Sequence, residues 1–326
     1  MQVKEAQLAE KQFEPVECIL CGPSETRLIA STGQFGWPVY VSICKNCGLV
    51  FLNPRWTRDG YDQFYETEYE KFYRFNEAEA KTKEQVKART VWNRILQYAP
   101  QEYRSVLDIG AGLGWGLHHI ASNVSGIRLA GIEPSNYCAE HLVNQIGAEL
   151  IGRDVASDWY QNIDSPFDLV LMRMVLEHLM NPIESLKKVR QAIAPGGKLY
   201  IAVPDMMEPE GPLNEYWFRS VHTYYYSKAT LTSIAARAGF KPVIVRSDNS
   251  ELWGIFEPAD VPVPAPLPAV YQQQMKALNR YKRKRFFRQL LKTAGLDKIS
   301  RFIPRSIKGL FPKNLKQKFR ELVYRH

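Results

Sequence analysis

From residue 106 onward, short apolar runs alternate with longer stretches in which apolar positions recur every three or four residues. The runs fall near 106–109, 128–133, 148–152, 167–172, 197–203, 242–248 and 252–257, and their length and apolar content predict strands. The stretches near 114–123, 136–146, 182–193 and 227–239 have helical periodicity. Such alternation predicts an α/β fold, a Rossmann-like, doubly wound, mostly parallel sheet of seven strands, with ligands at the carboxyl ends of the strands. Upstream, residues 77–99 read as an amphipathic helix turning Val86, Val91, Trp92, Ile95 and Leu96 inward. Before it, Tyr61, Phe64, Tyr65, Tyr69, Phe72, Tyr73 and Phe75 are interleaved with Glu66, Glu68, Glu70 and Lys71. This segment is expected to pack aromatics on the main domain, or to close as a lid that stacks a ring. Acids among the aromatics argue against a nucleic-acid stacking surface.

The first predicted strand runs into Asp108-Ile109-Gly110-Ala111-Gly112-Leu113-Gly114. A backbone that turns tightly against a ligand excludes side chains at those glycines, and the following helix aims free N–H groups at whatever binds. A dinucleotide turn needs a third glycine at 115, where Trp115 stands, and the P-loop lysine is missing. The acid before the turn would repel a pyrophosphate and hold an ammonium group. The pattern resembles the first motif of the class I S-adenosylmethionine (SAM) methyltransferases. Glu133, 25 residues on at the end of the next strand, suits both ribose hydroxyls.

Two C-x-x-C-G knuckles, Cys18/Cys21 and Cys44/Cys47, supply four thiolates with the spacing of a closed, structural zinc site. Leu49 to Arg55 leaves the second knuckle as a strand. The fifth cysteine, Cys138, reads as a core residue. The knuckle pair, a C-G-L-V-F-x-N-P-R run, the tyrosine-rich segment and the glycine turn together resemble the zinc-knuckle methyltransferases of sugar and surface-polysaccharide biosynthesis, over residues 16 to about 257. The related sugar C-methyltransferases carry a further α/β domain, where this chain has a basic tail.

The resemblance implies that Arg173 and Met174 line the methionine moiety of SAM and that the Leu176-Glu177-His178 turn lies beneath the acceptor. Asp154 is a candidate border of the adenine and Asp205, at the end of the fifth strand, a candidate for orienting the acceptor or a metal. The connection from Gly211 to Tyr226 carries Tyr216, Trp217, Phe218, His222, Tyr224, Tyr225 and Tyr226, which suit a ring-shaped polar acceptor. Histidine titrates near neutrality and can take a hydroxyl proton. His222 is the first candidate base, ahead of His178.

The net charge of +9 is concentrated at one end. Residues 276–326 hold 17 Lys/Arg and 2 Asp/Glu, which leaves 26 against 32, or −6, for the rest. Two amphipathic helices are expected there, 271–294 and one carrying Leu315, Phe319, Leu322 and Val323 on a face. Basic faces opposite apolar ones suit self-packing or self-association first, an anionic membrane surface second and nucleic acid third. No secretory leader is visible in the first fifteen residues, so the expected place is the cytoplasm, with peripheral contact at the inner membrane face open to the tail.

The expected division is a zinc-knuckle module (1–60), an aromatic segment with a linking helix (61–100), a SAM-binding domain (101–258), a Pro-rich linker (259–270) and the basic tail (271–326). The expected activity is SAM-dependent O-methylation of a sugar, nucleotide-sugar or glycan. The alternatives are an RNA methyltransferase using the basic tail and a catalytically silent SAM-binding scaffold.

Overall fold

The computed structural model describes residues 12–68, 72, 77–259 and 268–293. In chain order come β1 (Phe13–Glu14), β2 (Thr26–Thr32), β3 (Pro38–Cys44), β4 (Val50–Leu52), β5 (Arg55–Trp56), α1 (Arg58–Thr67) and α2 (Glu77–Tyr98). Then follow β6 (Ser105–Ile109), α3 (Trp115–Ala121), β7 (Arg128–Ile132), α4 (Asn136–His141), β8 (Glu149–Gly152), β9 (Phe167–Arg173), α5 (Pro182–Gln191) and β10 (Ile193–Pro204). The last are β11 (Tyr224–Tyr225), α6 (Lys228–Arg237), β12 (Phe240–Asp248), β13 (Glu251–Pro258) and α7 (Pro268–Thr293).

Seven strands form one sheet in the order β12-β13-β10-β9-β6-β7-β8. The pairs among β10, β9, β6, β7 and β8 are parallel, and β13 is antiparallel to both its neighbours. The run at 252–257 therefore lies inside the sheet, and β12 is the edge. Asn249 and Ser250 explain this, since both have positive φ (52° and 67°), the twist that folds a two-residue hairpin back on its own strand.

Side chains alternate across the sheet with a period of two. Leu107, Ile109, Val170, Met172, Ile201 and Val203 pack on one face, with α5 and α6. Val106, Leu169, Leu171, Tyr200 and Ala202 face the other, against Val91, Trp92 and Ile95 of α2. Val86 and Leu96 of α2, expected inward, are 64% and 43% exposed. They lie off the narrow stripe that reaches the sheet.

The cysteine knuckles share the first of these cores. Cys18, Leu20, Cys44, Cys47, Leu49 and Phe51 belong to the same buried cluster as Leu107 and Ile109. Leu49 to Arg55 is interrupted at Asn53 and Pro54, and β4 and β5 join different sheets. β4 lies between β3 and β11 in a four-stranded sheet, and β11 is carried by the connection that follows β10. Module and sheet thus belong to one compact unit ending at Ala277; residues from Leu278 form a second. α7 begins at Pro268, three residues ahead of the expected start, and the helix expected around 315–323 lies outside the described residues.

Candidate functional site

Capping and glycine geometry build the cofactor half locally. Gly110, Gly112 and Gly114 all have positive φ (72°, 55° and 75°). A Cβ on Gly110 would stand 2.4 Å from Val175 Cγ2, and one on Gly112 would enter open space. The turn therefore presses against the end of β9 on one side and leaves room for a ligand on the other. Glu133 Oε2 accepts the Gly112 N–H at 2.7 Å and its Oε1 accepts that of Ser135 at 2.9 Å. Each oxygen keeps a lone pair for a diol. Burial raises the Glu133 pKa.

Asp108 is buried, and no hydrogen bond reaches its carboxylate among the described residues. Burial raises its pKa to about 7, opposed by Arg173. A buried carboxyl left without a donor beside an open glycine turn fits a cationic ligand group, such as the ammonium of SAM's methionine. Met174 has a positive φ of 54° and donates its N–H to the Ala202 carbonyl, which fixes the strained end of β9 against β10. Arg173 turns away to Glu84 (3.0 Å) and toward Glu251 (3.7 Å). Asp154 is half-exposed, accepts Ala156 N–H at 2.8 Å and pairs with Arg58 at 3.1 Å.

The candidate acceptor half is assembled from distant segments. His178 lies in a short turn after β9, and Nδ1 is 3.1 Å from Tyr65 Oη of α1. The His222 ring stands edge-on to that of His178, 4.8 Å between centroids. Burial lowers the pKa of His178 to about 4 and that of His222 well below its usual value. Both imidazoles are therefore neutral at pH 7. Glu177 beside them is buried and pushed up to about 8 by desolvation.

Two ties hold the pair in place. Thr223 Oγ1 lies 2.9 Å from the Glu177 carbonyl and 2.8 Å from that of Leu179, within donating reach of both. The Thr223 carbonyl accepts Leu52 N–H at the end of β4. The cysteine module thereby clamps His222 onto the His178 turn. Neither Tyr65 nor Thr223 is marked as a site residue by sequence spacing, because their partners are 113 and 46 residues away.

Asp205 does not join this cluster. Its Oδ1 accepts Met207 N–H at 2.7 Å and its Oδ2 accepts the Ser247 hydroxyl. The connection after β10 also departs from expectation: Trp217, Phe218, Tyr224, Tyr225 and Tyr226 are buried and serve the core, and Tyr216 is the exposed ring. Of the aromatic segment, Tyr61 and Phe64 pack around Trp37 and Trp56. Tyr69, Tyr73 and Phe75 lie outside the described residues.

In the knuckles, donor atoms of Cys18, Cys21, Cys44 and Cys47 lie within 4.8 Å of one another. Gly22 and Gly48 follow each pair with φ of 68° and 74°, and their N–H groups donate to the Cys18 and Cys44 carbonyls. The two turns have the same form, which points four sulfurs inward.

The family described as "Methyltransferase domain" matches residues 75–245, more than half of the chain, and the chain belongs to it. The fold and the glycine-turn site define a SAM-dependent methyltransferase domain. Among relatives, the chain is 28% identical over 166 residues to a tRNA U34 carboxymethyltransferase of Cellvibrio japonicus, covering 46% of this chain and 49% of that protein. It is 26% identical over 167 residues, with the same coverage, to the protein of that name from Saccharophagus degradans. The chain spans about half the length of these relatives. A solved SAM-dependent methyltransferase from Clostridium acetobutylicum aligns with a TM-score of 0.44 at 10% identity, over 61% of this chain and 99% of that one.

Proposed function

We propose that the protein is a methyltransferase acting on RNA, with SAM or a close derivative as donor. The observation that carries this reading is the name shared by its relatives, which are tRNA-modifying enzymes. It reverses the order expected from sequence, in which a sugar acceptor came first and RNA was the alternative. The charge distribution supports it: residues 268–293, all in α7, contain eight Lys/Arg and no Asp/Glu, a composition that favours a polyanion.

In this reading Asp108 holds the ammonium group of the donor, Glu133 its ribose, and the backbone at Arg173 and Met174 lines its methionine moiety. The donor supplies an electrophilic carbon on a sulfonium. What the protein adds is alignment, exclusion of water and, for a hydroxyl acceptor, removal of a proton. Neutral His222 or His178 is the proton acceptor. We assign zinc to the four cysteines; the donor set is all sulfur, tetrahedral by count and closed to substrate.

A second reading keeps the sugar hydroxyl as acceptor. It is favoured by the acidic side chains of the cofactor half, Asp108 and Glu133, which oppose a phosphate backbone. Incubation of the full chain with methyl-tritiated SAM, bulk tRNA and a pool of nucleotide sugars separates the two. Label in ribonuclease-sensitive, acid-precipitable material supports RNA. Label carried from SAM into the nucleotide-sugar peak on anion-exchange chromatography, with none in the RNA, overturns it in favour of the sugar.

A further inference from the structure

Beside the cysteine cluster, the described residues hold one more group of side chains that could take a metal ion. Glu177, His178 and His222 each place a donor atom within 4.8 Å of the other two. Glu177 is 1% and His222 5% exposed. Glu177 Oε2 and His222 Nδ1 are buried without a hydrogen-bond partner. Orphaned polar atoms of this kind are costly, on the order of 1–3 kcal/mol for each neutral group and more for a charge. Two in one cluster, on residues 45 apart in sequence, call for a shared partner.

We infer that Glu177, His178 and His222 form a second metal site, taking one divalent first-row transition ion on the acceptor side of the sheet. Two imidazole nitrogens and one carboxylate oxygen are the donor set of open sites for zinc and its neighbours, and they leave positions for water or substrate. Three ligands of one ion stand about 3–3.5 Å apart at bond lengths of about 2.0–2.2 Å, so the cluster needs only small side-chain rotations to close. Tyr65 Oη against His178 Nδ1 gives that imidazole the outer partner that metal-bound histidines have, and it leaves Nε2, 4.0 Å from Glu177 Oε1, for the ion. The Val221 carbonyl is the competing partner of that ring. Thr223, tied to the Glu177 and Leu179 carbonyls, fixes the distance between the two histidine segments.

The ion's role rests on the methyltransferase reading: at the strand ends it would hold an acceptor oxygen and favour its deprotonated form, in place of proton removal by either histidine. Its binding does not rest on that reading, and the test reads binding. Full-length protein is loaded with excess zinc, desalted and counted by plasma mass spectrometry. Wild type is expected to hold two ions per chain, and Glu177→Gln and His222→Gln one each. S-adenosylhomocysteine affinity, measured by calorimetry on all three, reports an intact fold and tests the cofactor site separately. As a second measurement, one equivalent of cobalt(II) added to wild type already carrying one zinc is expected to give d–d absorption without a thiolate charge-transfer band, and the two variants none. Equal metal content in wild type and variants, or no cobalt spectrum in wild type, overturns the site. Loss of S-adenosylhomocysteine binding by wild type with both ions present would instead overturn the cofactor reading and leave the metal site standing.

Discussion

The two halves of the site are built in opposite ways. The cofactor half is one turn of chain, Asp108 to Gly114, with Glu133 bonded straight back to Gly112. The acceptor half draws Tyr65, His178 and His222 from three segments and needs the cysteine module to hold them. A local device survives damage elsewhere in the fold. An assembled one fails when any support is withdrawn. This difference orders the expected effects of mutation.

The largest separation is expected at Cys44→Ser. Cys44 is fully buried in the core that also contains Leu107. Structural zinc contributes about 10–16 kcal/mol to folding in isolated zinc-finger peptides, so losing a thiolate should loosen β3 and β4, release β11 and free the His222 segment. Methyl transfer should fall by more than about a hundredfold, while S-adenosylhomocysteine affinity falls by less than about tenfold, on the scale where 1.4 kcal/mol is one decade. Zinc content, turnover and calorimetry on one preparation check this. Equal loss of binding and turnover would mean that the halves are not independent.

Glu133→Ala strikes the local half. It removes the acceptor for two backbone N–H groups and for the ribose, interactions of a charged group worth about 1.5–3 kcal/mol. Affinity for S-adenosylhomocysteine should drop roughly 10- to 100-fold by calorimetry, with zinc content unchanged.

How much of this could be read from the chain follows the same divide. Asp108, the three glycines and Glu133 are informative because the turn's φ requirement and the strand-end acid act over short separations. The strands of the sheet were legible within a few residues for the same reason, since the central ones, β6, β9, β10 and β13, are mostly buried and their runs mostly apolar. The connection from Gly211 to Tyr226 was misleading. Its aromatics look like a substrate lining, yet β11 pairs with β4 and turns them into core. Asp205 bonds to Ser247, which reaches it only through the hairpin of β12 and β13. Partners tens to more than a hundred residues apart leave no periodicity to detect.

A smaller effect is expected in the pH dependence of stability, and it belongs to the cofactor half. Asp108 titrates near 3.8 when unfolded and near 7 in the fold, mainly through burial, with Arg173 opposing and Glu133 and Glu84 reinforcing. Between those values the folded state holds a proton that the unfolded chain has released. Its contribution is therefore full at low pH and is lost as pH rises toward 7, on the order of 2–4 kcal/mol in all. Asp108→Asn should flatten the fall in melting temperature between pH 5 and 7.5. An unchanged slope in the variant would place that titration elsewhere.

The smallest effect tests the acceptor half at its outermost support. Tyr65→Phe keeps the ring and removes only the hydroxyl 3.1 Å from His178 Nδ1. A net hydrogen bond of this kind contributes about 0.5–1.5 kcal/mol. Turnover should fall roughly two- to tenfold at unchanged S-adenosylhomocysteine affinity. The folded core should not notice, because Tyr65 is 39% exposed and its neighbour Phe64 carries the packing. If Tyr65 also orients His178 toward a metal ion, the variant should bind that ion more weakly, by the tenfold or more that such outer partners supply. Turnover lost with metal affinity intact would make Tyr65 a substrate contact instead; both intact would confine the acceptor chemistry to His222 and the segment that the cysteine module holds.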